Sequence, residues 1–142
     1  MSILNDQRVI AIEEHYYDEN VVEHYTGIDK STGGFVRDAL FEVGEKRIQS
    51  MDETGIDVQI LSHGAPSTQR LDAATGIPVA KAANDRLKEI CDAYPDRLMG
   101  FAQLPTADPA VAADELSRSV NELGFKGAMI HGLIGDQRLF PD

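Results

Sequence analysis

The stretch Val9-Ile10-Ala11-Ile12-Glu13-Glu14-His15 joins four apolar residues to the pattern Glu-x-His. In a β-strand the side chains alternate between two faces, so Glu13 and His15 would share one face with Val9 and Ala11. A carboxylate and an imidazole at the C-terminal end of a buried strand are suitable ligands for a divalent metal ion. Alternatively, the polar residues are only the start of a surface loop, because so short a motif also occurs by accident. The stretch therefore predicts a strand and suggests half of a metal site.

The composition of the 142-residue chain is that of a globular protein, with 42% hydrophobic and 26% charged residues. No apolar run approaches the ~18 residues of a membrane span, and residues 1–8 lack the basic and apolar regions of a signal peptide. Cys91 is the single cysteine, so no intramolecular disulfide can form. We therefore expect one domain over residues 1–142, in the cytoplasm and without a membrane partner.

The formal net charge of −11 narrows the choice of partners. An acidic surface repels phosphate backbones and anionic lipid, and no basic cluster reverses this locally. We expect no nucleic-acid partner. A bound metal ion would concentrate positive charge, so the sequence is still compatible with a small anionic substrate.

Strand and helix patterns alternate along the chain. Short apolar runs predict strands at residues 9–15, 56–62, 98–104 and 126–132. Segments between them predict helices at residues 35–54, with a break near Gly44, at 77–94, and from Pro109 to a stop at Gly124. Strands linked by single helices run parallel, which fits either a small open α/β sheet or the first half of a (β/α)8 barrel. No glycine-rich phosphate loop follows a strand, which weakens the nucleotide-binding form of the open sheet.

Local signals predict several helix ends and helix faces. Gly55 suits the left-handed position after the first long helix. Thr75 is a candidate cap for the second helix, and Asp108 is the expected N-cap of the third. Cys91 lies on the apolar side of the second helix, which predicts a buried thiol and not a nucleophile. The predicted apolar stripe of the third helix consists of Ala112, Leu116, Val120 and Leu123.

Polar side chains stand where the predicted strands end. His15, His63 and His131 end the first, second and fourth strands, and Ser62 precedes His63. In a (β/α)8 barrel these C-terminal ends share the face on which active sites are built. We therefore predict a shared site there, although each histidine alone could be structural. His24 is expected to be a solvated loop residue.

Segments along the chain resemble one family of enzymes. Ile12-Glu13-Glu14-His15 resembles the opening of the amidohydrolase-2 group of metal-dependent decarboxylases, which includes γ-resorcylate, 2,3-dihydroxybenzoate and 5-carboxyvanillate decarboxylases. The benzoate-type members carry the same Glu-x-His pattern. Further similar segments follow in the family's order: Met51-Asp52-Glu53-Thr54-Gly55-Ile56, Ile60-Leu61-Ser62-His63-Gly64-Ala65-Pro66 and Phe101-Ala102-Gln103-Leu104-Pro105.

The resemblance implies a (β/α)8 barrel that binds one divalent metal ion, zinc or manganese. Glu13 and His15 match the two metal ligands on the family's first strand. The metal would chelate the carboxylate and an adjacent hydroxyl of a small aromatic carboxylate and stabilise charge as carbon dioxide leaves. Ala65 and Pro66 match a pocket-lining loop, and His131, where benzoate-type members often have asparagine, is expected to contact the substrate. The expected assembly is a homo-oligomer, either a dimer or a tetramer.

The resemblance also implies that part of the site is absent from this chain. Family members are longer, and their histidines on strands five and six and their proton-donating aspartate on the last strand have no counterpart here. We therefore assign no catalytic residue and expect residues 1–142 to be the N-terminal half of the barrel, interrupted after the fourth strand. Two other functions stay open: a metal-dependent hydrolase of the same superfamily, such as a lactonase, and an inert half-barrel that serves binding or assembly.

Overall fold

A computed structural model describes residues 7–31, 34–134 and 137–138 as a parallel sheet with helices packed against it. The strands are β1 (Ile10–Tyr16), β2 (Val58–His63), β3 (Leu98–Gly100), β4 (Leu133–Ile134) and β5 (Gln137–Arg138). The α-helices are α1 (Glu19–Val22), α2 (Arg37–Phe41), α3 (Glu45–Thr54), α4 (Ala73–Ala93) and α5 (Pro109–Asn121). Short 3-10 helices at Gly27–Ser31 and Gly34–Val36 lie between α1 and α2.

The sheet has the parallel strand order β1-β2-β3. The chain passes from β1 to β2 through α3 and from β2 to β3 through α4. A parallel bridge between Ala102 and Ala128 extends the same order to the segment after α5. The predicted alternation of parallel strands with helices is therefore confirmed, and α2 and α3 are separated near Gly44 as expected.

The predicted fourth strand, residues 126–132, is not a regular strand. Ala102 N–H donates to the Gly127 carbonyl at 2.9 Å and Met129 N–H donates to the Ala102 carbonyl at 3.2 Å, so the segment does lie beside the third strand. Gly127 has a φ of 149°, a conformation that favours glycine and interrupts the extended backbone. The chain then forms the antiparallel pair β4–β5, which the sequence did not predict.

The regular third strand ends at Gly100 and not at residue 104, although Phe101 N–H still donates to the Leu61 carbonyl at 2.8 Å; further along, Asn84 of α4 occupies the backbone groups of Gln103. The Asn84 amide donates to the Gln103 carbonyl and accepts from the Gln103 N–H, both at 2.9 Å. These groups are then not free for strand pairing. The same Asn84 amide also donates to the Glu115 carboxylate at 2.8 Å. One buried polar network therefore joins α4, α5 and the end of the third strand.

Gly55 and Asp108 are confirmed at the helix ends predicted for them, Thr75 is not, and α5 ends at Asn121, before the predicted stop at Gly124. Gly55 follows α3 with a φ of 73°, and Asp108 caps α5 through the N–H groups of the first turn. α4 begins at Ala73, because Asp72 and not Thr75 is its N-cap; the Asp72 carboxylate accepts the Thr75 N–H at 2.8 Å. Within the part of the chain described, no helix has the length and apolar character needed to cross a bilayer.

The predicted apolar stripe of α5 is partly wrong. Val120 is 41% exposed, whereas Glu115 and Ser119 are buried. Glu115 can be buried because Arg118 donates to both of its carboxylate oxygens at 2.8 Å. An ion pair therefore occupies part of the face that periodicity assigned to apolar side chains.

The hydrophobic core lies between the sheet and helices α3, α4 and α5. Met51, Leu61 and Leu87 are fully buried in it. Cys91 belongs to the same cluster, and burial raises the pKa of its thiol to about 11, which confirms the predicted buried thiol. The opposite face of β1 is open, since Ile12 is 61% exposed there.

Candidate metal centre

An irregularity in β1 sets the direction of the candidate ligands. The pairing of β1 with β2 shifts by one residue between Ala11 and Glu14, so that Ile12 and Glu13 both stand opposite Ile60. Such a β-bulge re-aims the side chains that follow it. Glu13 has a φ of 60°, in the left-handed region that non-glycine residues rarely adopt.

The bulge keeps Glu13 and His15 on one face but moves Ala11 to the other. Glu14 stands opposite the core residue Leu61, on the helix side of the sheet, and His15 stands opposite Ser62 on the open side. The prediction that Glu13 and His15 share a face agrees with this register. The prediction that Ala11 shares it is wrong, because strict alternation fails at the bulge.

His15 is held at its ring and at its backbone. Nδ1 of the ring lies 2.9 Å from Ser62 Oγ, and the Arg47 guanidinium donates to the His15 carbonyl at 3.0 Å. The ring of His131 approaches edge-on, with 6.1 Å between the ring centroids. In the described part of the chain, Nε2 of His15 has no hydrogen-bond partner and is available to a ligand.

His131 is fixed by groups at the end of β2 and in the loop that follows it. Its Nε2–H donates to the His63 carbonyl at 3.1 Å, which leaves Nδ1 as an acceptor in the neutral ring. The Gln69 amide accepts the His131 N–H at 2.6 Å and donates to the His131 carbonyl at 3.0 Å. Burial lowers the pKa of His131 and so favours the neutral form.

His63 is structural and does not join the shared site that the sequence predicted. Its Nδ1–H donates to the Gly64 carbonyl at 2.8 Å, and its Nε2 accepts the Asp18 N–H at 3.0 Å. The Tyr17 ring stacks on it with 5.3 Å between centroids. Burial lowers the pKa of His63 to about 4, so the ring is neutral at pH 7.

Asp18 anchors the segment that follows β1. Its carboxylate accepts two hydrogen bonds from Arg86, at 2.6 and 2.7 Å, and also the Asn20 N–H at 2.9 Å. Burial alone would raise the pKa of this carboxyl, but the hydrogen bonds from Arg86 lower it, and the net pKa is below the usual value. This ion pair ties the end of β1 to α4. His24, predicted to be solvated, is half-buried.

Ala65 and Pro66 lie in the loop after β2. Ala65 is exposed, and Pro66 lines a cavity of about 400 Å³ between residues 24–29 and 66–71. Among the described residues that line this cavity, neither Glu13 nor His15 is present.

Arg47 of α3 is a supporting residue that sequence reasoning missed. Besides the His15 carbonyl, it binds the Glu42 carbonyl at 2.7 Å and the Gln59 side chain at 3.0 Å. Burial lowers the pKa of Arg47, while nearby Glu14 and Glu42 raise it. The sequence did contain one indication that Arg47 faces the sheet: it lies four residues before the buried Met51, and residues so spaced share one face of a helix.

The donor chemistry at the end of β1 fits a divalent metal ion in part. Glu13 offers carboxylate oxygens and His15 offers Nε2, the donor types that zinc and manganese accept. Over residues 7–31, 34–134 and 137–138, no group of three or more His, Cys, Asp and Glu side chains forms a metal cluster. Glu13 and His15 are therefore two candidate donors, fewer than the about four ligands that a zinc site needs.

Comparisons with known proteins show the family to which the chain belongs. The family model described as amidohydrolase matches residues 33–142, and the chain belongs to this family. A γ-resorcylate decarboxylase from Polaromonas sp. (strain JS666) is 40% identical over 131 residues, which cover 91% of this chain and 40% of the relative. The chain thus spans about two-fifths of the length of the curated relatives it matches first.

Solved structures of decarboxylases share the fold. A 2,6-dihydroxybenzoate decarboxylase from Rhizobium superposes with a TM-score of 0.80 at 35% identity, covering 94% of this chain and 42% of that one. A 5-carboxyvanillate decarboxylase from Novosphingobium aromaticivorans superposes with a TM-score of 0.83 at 31% identity, covering 92% of this chain and 44% of that one. That structure is complexed with manganese and 4-hydroxy-3-methoxy-5-nitrobenzoic acid. The predicted fold class, the N-terminal half of a (β/α)8 barrel, is confirmed.

Proposed function

We propose that the protein is a metal-dependent decarboxylase of a hydroxylated aromatic carboxylic acid, and that this chain contributes part of its metal site. The activities of the related proteins support the reaction class. The observation that carries the proposal is the end of β1, where Glu13 and His15 share the open face and His131 approaches His15.

Each candidate residue has a distinct role in this proposal. Glu13 and Nε2 of His15 would hold the divalent metal ion, which supplies Lewis-acid stabilisation of the charge on the substrate's carboxylate and adjacent hydroxyl. His131 would accept a hydrogen bond from a substrate hydroxyl at Nδ1, because its Nε2 proton is committed to the His63 carbonyl. Ala65 and Pro66 would line the pocket from the loop after β2.

The choice of metal, the location and the assembly are finer parts of the proposal. Manganese in the related 5-carboxyvanillate enzyme favours manganese over zinc. A cytoplasmic location and a homo-oligomer, a dimer or a tetramer, stay predictions. Size-exclusion chromatography with light scattering tests the assembly, and a strictly monomeric full-length protein would contradict it.

Decarboxylation of 2,6-dihydroxybenzoate by the full-length, manganese-loaded protein tests the activity. We expect loss of the acid with release of carbon dioxide and the corresponding dihydroxybenzene, followed by liquid chromatography. Related ortho-hydroxybenzoates would define the substrate range. Hydrolysis of an aromatic lactone, without decarboxylation of any of these acids, would instead support the hydrolase.

Adjacent carboxylates provide a matched pair of variants for the metal site. Glu13→Gln removes the ligand charge on the open face, whereas Glu14→Gln makes the same chemical change on the helix side. We expect Glu13→Gln to lose bound manganese and activity and Glu14→Gln to keep both, as measured by elemental analysis and turnover. The opposite pattern would show that the register in β1 has been misassigned.

A further inference from the structure

Ser62 is a fully buried serine that contacts an imidazole. It lies on β2 directly opposite His15 in the strand register, and its exposed fraction is 0%. Its Oγ atom is 2.9 Å from Nδ1 of His15. Ser62 is therefore placed to act on His15 and not on a ligand directly.

The role of the hydroxyl in this contact bears on which nitrogen of His15 can bind a metal, because a serine hydroxyl can accept the Nδ1 proton or donate to Nδ1. A neutral imidazole carries one proton, and metal coordination requires the lone pair of the other nitrogen. When Nδ1–H donates to Ser62 Oγ, Nε2 keeps its lone pair on the side away from Ser62. The hydrogen bond from Arg47 to the His15 carbonyl fixes the backbone at the same residue, so the position of the ring is supported both at its backbone and at Nδ1.

We propose that Ser62 is a positioning residue that accepts the Nδ1 proton of His15 and thereby holds Nε2 ready for the metal ion. This inference rests on the function proposed above. Partners of metal-ligating histidines commonly change metal affinity by about 10- to 100-fold when removed. Loss of the Ser62 hydroxyl is expected to weaken manganese binding within that range.

Titration of manganese into the full-length protein by calorimetry tests the proposal. The variants are Ser62→Ala, Ser62→Thr, which keeps the hydroxyl, and Ser119→Ala, which removes an equally buried serine hydroxyl from α5. We expect Ser62→Ala to bind manganese at least about tenfold more weakly than the wild type. Ser62→Thr should recover part of this affinity, and Ser119→Ala should bind manganese as the wild type does. Urea unfolding of all three variants separates lost affinity from lost stability.

A second measurement uses the wild-type protein and needs no variant. In the zinc-loaded protein, nitrogen-15 NMR of the imidazoles should show a slowly exchanging proton on Nδ1 of His15 and metal coordination at Nε2. Metal binding through Nδ1 would overturn the role of Ser62, as would unchanged manganese affinity in folded Ser62→Ala, while the decarboxylase proposal would stand. A wild-type protein that binds no divalent metal would overturn both proposals.

Discussion

The three histidines near the C-terminal ends of strands or strand-like segments have different roles at the scale of single residues. His15 keeps one ring nitrogen available, His131 is neutral with Nδ1 as its acceptor, and both nitrogens of His63 bind the backbone. Sequence position could not separate them, because all three follow apolar segments. The distinction arises from partners distant in the chain, such as Asp18 for His63, and only tertiary structure brings these together.

Burial of His63 predicts a loss of stability at acidic pH. Its folded-state pKa of about 4 lies below the ordinary 6.5, so between these values the unfolded chain takes up a proton that the folded protein does not. The free energy of unfolding should therefore fall as the pH drops from 6.5 towards 4, with a contribution of about 1 kcal/mol per pH unit.

Urea unfolding at several pH values between 4.5 and 7 measures this contribution. The slope of unfolding free energy against pH should be shallower in His63→Gln than in the wild type over that interval. Slopes are compared, because the substitution also changes hydrogen bonds at every pH. Equal slopes would mean that His63 is protonated in the folded state or does not titrate in this range.

At the scale of single elements, the bulge in β1 separates what the sequence could and could not predict. The apolar run and Glu-x-His predicted the strand and the shared face of Glu13 and His15. Alternation alone placed Ala11 on that face too, because nothing local in the sequence marks the extra residue. The bulge is visible only in the pairing with β2.

The left-handed backbone of Glu13 predicts opposite effects on stability and metal binding. Glycine adopts a φ of 60° without the cost of about 1 kcal/mol that other residues incur there. In metal-free protein, the free energy of unfolding of Glu13→Gly should be about 1 kcal/mol higher than that of Glu14→Gly, because Glu14 does not have a positive φ for glycine to relieve.

Chemical denaturation measures the difference in free energy of unfolding between the two glycine variants. Their manganese affinity is measured separately to test the effect on metal binding. Glu13→Gly should lose the metal although it is the more stable of the two variants. If Glu14→Gly were the more stable, the strain would not be at Glu13.

The hydrogen bonds of the α5 N-cap, Asp108, predict that its removal lowers the stability of the protein. Asp108 accepts the Ala110 and Val111 N–H groups at 3.1 and 3.2 Å. Asp108→Ala should lower the free energy of unfolding by about 1 kcal/mol. Asp114→Ala, an equivalent change within the same helix at an exposed position, should leave it nearly unchanged, and similar losses in the two variants would argue against capping.

At the scale of the whole molecule, the order of strands and helices could be predicted from the sequence. The residues at which strand pairing ends could not. Periodicity and turn residues are local, so they predicted the parallel βα succession. The backbone groups of Gln103 bind Asn84, which lies nineteen positions earlier in the chain, and the buried Glu115 depends on Arg118 and on the same asparagine. The contacts of Asn84 join residues that are distant in the chain, and such contacts leave no periodic signal in the sequence.

The candidate metal ligands on β1 also depend on residues that are distant in the chain. The sequence predicted Glu13 and His15 as candidate ligands from their position, but the groups that contact His15, Arg47 and Ser62, come from α3 and β2. The chain covers about two-fifths of its decarboxylase relatives, so the two ligands on β1 are proposed to complete their coordination with groups beyond those described here.

A crystal structure of the full-length protein with manganese, analysed by anomalous scattering at the manganese edge, tests the central claim most directly. The account predicts one anomalous peak at about 2.2 Å from a Glu13 carboxylate oxygen and from Nε2 of His15. A manganese peak remote from β1, a metal bound through Nδ1 of His15, or no bound metal at saturating manganese would contradict it.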